Sequence, residues 1–175
     1  DDGLSRLAIV AMDILALDHK SSVIFRELIA NEIGCGSETV MLNFSHTHAG
    51  PQAVADSIKI GGTQTSLSEN EISFIESLPE KVVKIAGEAA SNMRDAATAS
   101  AMGSVNLTVN RRERTSEGKT ILGWNKNGVC DQEVGVIRID SLDGSNLAVI
   151  VNFACHPVVV GPEDQAVNSD FVGPM

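Results

Sequence analysis

The sequence predicts a mixed α/β fold that opens on a βαβ unit, packs helices on the sheet and closes on an antiparallel hairpin. Three observations carry this expectation. Two strand-like apolar segments, residues 7–17 and Val40–Phe44, flank a stretch whose apolar residues recur at helical spacing. The return between that helix and the second strand is short, as in a parallel βαβ unit. Near the end, residues 134–140 and 147–154 are both strand-like, and Asp143-Gly144 lies in their connection, a dipeptide that favours hairpin turns.

Taken in order, the first run reads LAIVAMDILAL and is broken only by Asp13. It suits a central strand with a carboxylate near its end, where Asp13 serves a functional sheet edge, a helix cap or a turn. A helix then starts at Asp18 or Ser21, with Val23, Ile24, Leu28, Ile29 and Ile33 on its apolar face. Gly34 and Gly36 end it, because glycine tolerates the left-handed backbone of a helix C-terminus. The strand Val40–Phe44 follows, preceded by the β-branched Thr39. Residues 53–68 are small and polar with Gly61-Gly62 and read as a loop or lid.

Residues 69–102 read as mostly helical, with Pro79 kinking the helix or opening a second one, and with Ala-rich residues 89–101 closing it. Residues 102–109 alternate towards strand, and the basic cluster Arg111, Arg112 and Arg114 comes next. A short strand and turn surround the single tryptophan, Trp124.

The totals exclude several classes. A chain of 175 residues is about one domain long and can bury a sizeable core. A net charge of −10 argues against a nucleic-acid surface, which needs a basic patch. No apolar run approaches the length of a membrane span. Three cysteines without CxxC spacing indicate neither a disulfide framework nor a cysteine zinc site. The first residues show no signal-like pattern. The chain reads as a single domain that is a fragment of a larger one.

The candidate chemistry lies in the histidines. His46 and His48, in Ser45-His46-Thr47-His48-Ala49-Gly50-Pro51, are two apart, so on extended backbone both leave one face of a strand. His156 follows the second apolar strand and precedes Pro157, which holds it extended. Together they supply three imidazoles to one metal, since neutral imidazole is a common zinc ligand. The alternatives are loop histidines bonded to backbone carbonyls and a capped strand end. His19 reads as solvated surface. Among nearby carboxylates, Asp170 is the best candidate ligand or partner, ahead of Glu163 and Asp164. Arg111 can hold a substrate oxygen or a developing oxyanion. A Ser45–histidine catalytic pair is disfavoured, because adjacent residues on a strand face opposite sides.

These motifs resemble a known family. The segment Ser45 to Pro51 resembles the THTHSGP signature of the neutral/alkaline, non-lysosomal ceramidases. Val109-Asn110-Arg111-Arg112 resembles their N-R-S/R element. Asn152-Phe153-Ala154-Cys155-His156-Pro157, followed by Asn168-Ser169-Asp170-Phe171-Val172-Gly173, is similar to their N-(F/Y)-A-(C/T)-H-P…SD..G block. The order and spacing agree over nearly the whole chain. The resemblance implies a zinc-dependent amidase that cleaves the N-acyl amide of ceramide or a related lipid, with His46 and His156 as Zn2+ ligands. It gives His48 the acid/base role and Arg111 the stabilisation of substrate or oxyanion. Beside these roles, Asp170 and Asp13 stand, from their positions in the chain, as candidate carboxylates supporting the ligands.

The family's further zinc ligands, a glutamate and a tyrosine, come from later sequence, and its opening D-I-T-P element precedes Asp1. Ala49 stands where the family usually has serine. The expectation is therefore part of a site that does not turn over substrate alone. The partner is a lipid-like small molecule, with contact to a membrane surface in the full protein and an extracytoplasmic or secreted location if the family habit holds. The alternative is a non-catalytic member of the fold that binds a metal or ligand.

Overall fold

A computed structural model describes residues 1–51, 53, 67–161, 163–164 and 166–175. It is mixed α/β, as the sequence predicts, and divides into two compact units: residues 1–93 with 156–175, and residues 94–155.

The first unit opens with β1 (Ala8–Met12), α1 (His19–Ile33) and β2 (Val40–Phe44). β1 and β2 pair in parallel, Ala8 opposite Val40 through Met12 opposite Phe44, which completes the expected βαβ unit. Among the described residues β1 has β2 as its one strand neighbour, so it is an edge rather than the expected central strand. Asp13 lies just past its end and is exposed.

Local chemistry sets the limits of α1. The Asp18 carboxylate accepts from Ser21 N–H at 2.9 Å and from the Ser21 hydroxyl at 2.6 Å, satisfying a donor the first turn leaves open. Gly34 ends the helix at φ 68°, a conformation that costs glycine little. Phe25, Ile29, Ala30 and Ile33 are buried. Ile24 and Leu28, expected on the apolar face, are 44% and 38% exposed, so the face inward to the sheet lies one position further round.

α2 (Glu69–Ser91) is one helix. Ser68 and Glu71 form a reciprocal capping box at its start. Pro79 lies inside it and neither ends it nor begins another, although a proline denies the Ile75 carbonyl its usual donor. Leu78, Val82 and Ala86, four residues apart, carry its buried stripe. Both helices pack on the face of the β1–β2 sheet that presents Val10 and Val40, and the core of this unit collects there around fully buried Ile29. Ile9 and Met41, paired on the opposite face, are 47% and 53% exposed. The loop or lid expected at 53–68 lies almost entirely outside the described residues.

The second unit is antiparallel. β3 (Ala96–Ser104), β6 (Glu133–Ser141) and β7 (Asn146–Phe153) form one sheet in the order β3-β6-β7. β4 (Asn110–Arg114) and β5 (Thr120–Asn125) form a separate two-stranded pair. The expected hairpin between β6 and β7 is present: Gly144 sits at φ 87° and donates to the Ser141 carbonyl at 2.9 Å.

Four expectations fail in this unit. Residues 96–101, expected to close a helix, are strand, because nine consecutive register pairs with β6 outweigh alanine's helix preference. The strand expected over 102–109 ends at Ser104. Arg111, Arg112 and Arg114 do not follow a strand but form β4. No side chain of this unit is fully buried among the described residues, so β7 is not the buried strand its apolar sequence suggests.

Candidate metal centre

The site grows from the end of β2. Ladder bonding to β1 continues past Phe44, with Ser45 N–H to the Met12 carbonyl at 3.0 Å and His46 N–H to the Ile14 carbonyl at 3.2 Å. His46 then turns the chain, adopting φ 63°, an uncommon left-handed conformation for a residue with a side chain. The strand-face argument for His46 and His48 is therefore incorrect, since neither lies on extended strand. They are brought together by a turn in which Thr47 is buried between them, at 1% exposure.

Gly50 lets that turn close against the sheet. A Cβ there would meet the Asp13 carbonyl oxygen at 2.8 Å and the Thr47 methyl at 2.9 Å. The Asp13 backbone thus lies against the turn that follows His48. The Ser45 hydroxyl is buried and has no hydrogen-bond partner among the described residues, so it forms no pair with a histidine.

His156 lies three residues beyond β7, before the buried Pro157, and belongs to the first unit. All three imidazoles converge. Their ring centroids are 5.2 Å apart for His46 and His48, 5.1 Å for His46 and His156, and 4.7 Å for His48 and His156. One ring nitrogen from each lies within 4.8 Å of the others. Among the described residues this is the one group of three or more histidine, cysteine or acidic side chains close enough to share an ion.

The hydrogen bonds define what each ring offers. His46 Nδ1 lies 2.8 Å from the Leu15 carbonyl, which only accepts, so this nitrogen carries the proton and Nε2 holds the free lone pair. That backbone carbonyl is the kind of partner that orients a metal-binding histidine. His48 Nε2 and His156 Nε2 are 2.8 Å apart, so one donates to the other. Zinc–nitrogen bonds of about 2.0–2.1 Å in tetrahedral geometry put ligand nitrogens about 3.3 Å apart. The 2.8 Å contact and the 4.8 Å limit of the cluster bracket that spacing, so the three rings lie in the range of a three-nitrogen site.

The carboxylates take a different part. Asp170 is 7% exposed and sits at φ 57°. Its oxygens accept from Val160 N–H at 2.8 Å and Phe171 N–H at 2.7 Å, so it organises backbone and does not join the imidazole group. The Asp13 carboxylate is likewise outside that group. Arg111 is half-buried on β4 in the second unit. His19, the first residue of α1, is exposed as expected.

Reasoning from the sequence missed Thr47 and Asn168. The Thr47 hydroxyl donates to the Asn168 carbonyl at 3.0 Å and accepts from Ala49 N–H at 3.2 Å. The available signal was a small hydroxyl residue set between two histidines, a position where exposed loop would tolerate any side chain.

Among the described residues no helix is long and apolar enough to cross a membrane. No protein-family model matches the chain.

Proposed function

We propose that this chain carries part of the site of a zinc-dependent amidohydrolase that cleaves the N-acyl amide bond of ceramide or a related N-acyl lipid. The observation that carries the reading is the convergence of His46, His48 and His156 from two distant stretches of sequence. The ceramidase-like motifs around those histidines supply the reaction class, and that part of the reading rests on the motif residues alone.

A metal bound here would polarise the amide carbonyl and lower the pKa of a water. His46, with Nδ1 engaged by the Leu15 carbonyl, presents Nε2 as a ligand. His156 presents Nε2 beside it. With His156 Nε2 given to the metal, its 2.8 Å contact with His48 Nε2 would be given up, and His48 would take the proton of the attacking water as base and deliver it to the departing amine as acid. The resemblance assigns Arg111 to the substrate or its oxyanion. The glutamate and tyrosine that the resemblance adds to the ligand set are not in the imidazole group, and the sequence contains no tyrosine.

The test uses the full-length protein that contains this chain, with zinc content and hydrolysis of an N-acyl sphingoid amide as its two readouts. The expected results are bound zinc and amide cleavage, both lost in His156→Ala, with His48→Ala retaining zinc and losing turnover. Zinc binding without hydrolysis of any N-acyl amide would leave a metal-binding protein and overturn the amidase. Unchanged zinc content and turnover in His156→Ala would overturn the whole assignment.

A further inference from the structure

The three histidines come from loops more than a hundred residues apart, and imidazoles on loops do not hold a metal geometry unaided. A chain of hydrogen bonds behind them joins the two loops. Thr47, between His46 and His48, donates its hydroxyl to the Asn168 carbonyl at 3.0 Å, and Asn168 N–H donates to the Ala49 carbonyl at 3.0 Å. Two residues on, the Asp170 N–H returns to Asn168 Oδ1 at 2.8 Å. Asp170 Oδ2 then accepts from Val160 N–H at 2.8 Å, and the segment before it closes with Val158 N–H on the His156 carbonyl at 3.0 Å. The path runs from one histidine loop to the other, and the 2.8 Å contact between His48 and His156 completes the ring on the imidazole side.

Burial separates this from ordinary loop bonding. Thr47 and Asp170 are the two polar or charged residues buried as whole residues among those described, at 1% and 7% exposure. Asp170 also holds a left-handed backbone, a local cost that persists only where surrounding bonds enforce it. Its carboxylate accepts two backbone N–H groups, one on each oxygen, which an amide cannot reproduce because it offers one acceptor.

We propose that Thr47, Asn168 and Asp170 form a positioning strap that sets the distance between the His46–His48 loop and the His156 loop, and thereby the metal affinity of the site. The strap touches neither substrate nor metal. It acts by holding imidazoles at a fixed separation, as supporting partners of metal ligands do elsewhere, where their loss weakens metal binding about 10–100-fold. The affinity readout rests on the metal reading above, whereas the geometric readout does not.

The experiment compares wild type, Thr47→Val, Thr47→Ser and Asp170→Asn, with thermal melts for folding. Without metal, imidazole 15N chemical shifts report the His48–His156 contact, with exposed His19 as internal control. With zinc, competition against a chromophoric chelator reports affinity. The expected result is loss of the paired-imidazole signature in Thr47→Val and Asp170→Asn, together with at least about tenfold weaker zinc binding. Thr47→Ser, which keeps the hydroxyl, should keep both within about threefold, a rescue that loss of general stability would not give. Should Thr47→Val fail to fold, Asp170→Asn carries the same test. Unchanged pairing in both variants, or no paired signature in wild type, overturns the strap. A wild type that shows the pair but binds no zinc overturns the metal reading, and the strap is then decided by the pairing signature alone.

Discussion

At the scale of single residues, two positions near the imidazoles make opposite demands. Gly50 is required by space: a methyl group there would press on the Asp13 carbonyl, which is backbone and cannot swing away. Gly50→Ala is expected to destabilise the protein by about 1–3 kcal/mol, the usual cost of overpacking, measured by urea unfolding. Ser45 is the reverse case. Its hydroxyl is buried without a partner among the described residues, so Ser45→Ala removes a polar atom rather than a bond. The expected outcome is unchanged stability or a gain of about 1 kcal/mol, with zinc affinity retained. A clear loss of stability in Ser45→Ala would show that the hydroxyl is bonded in solution. His46 belongs at this scale too. Its left-handed backbone, not strand alternation, turns its ring towards the others, and a histidine code in the sequence does not announce that conformation.

Among the elements, α1 shows how far local sequence reaches. Its start and stop were readable because Asp18 and Gly34 act on their immediate neighbours. The Ser21 hydroxyl and backbone N–H hold the Asp18 carboxyl below its ordinary value of 3.8. A carboxylate whose folded pKa is depressed contributes stability above the unfolded value and loses it as pH falls through the folded value. The contribution of Asp18 is therefore complete at neutral pH, begins to fall as pH drops to the ordinary value of 3.8, and is lost as pH passes through the lower folded value. Asp18→Ala should cost about 1 kcal/mol at pH 7. Asp18→Asn keeps one of the two acceptors and should be somewhat less stable than wild type at pH 7 while losing less on acidification, compared by urea melts between neutral pH and pH 2–4. An identical acid limb in wild type and Asp18→Asn would place the acid sensitivity elsewhere. β3 marks the limit of the same reasoning: its alanine-rich sequence favours helix, and only pairing with a strand some forty residues away makes it a strand.

For the whole molecule, the imidazole group lies entirely within the first unit, and so does the buried hydrophobic core. Metal binding should accordingly stabilise that unit by mass action, about 2.7 kcal/mol when free zinc exceeds the dissociation constant a hundredfold. Hydrogen exchange with and without zinc should show slower exchange at residues 40–50 and 156–171, with little change in β3, β6 and β7. Uniform slowing across both units, or none, would contradict a site confined to these loops. Removing the metal with a chelator should reverse the protection.

The sequence by itself determined the βαβ start, the limits of α1, the hairpin between β6 and β7, and the three histidines as one candidate site. These follow from hydrophobic period, caps, turn dipeptides and residue type, all of which act over a few neighbouring positions. Only the tertiary structure decided how the histidines meet. The left-handed turn at His46, the burial of Thr47 and the use of Asp170 as a backbone clamp each depend on partners distant in the chain. The identity of β3 and the exposure of Ile24 and Leu28 were decided in the same way. Local pattern specifies which groups are available, and long-range hydrogen bonding and packing decide which face each of them presents.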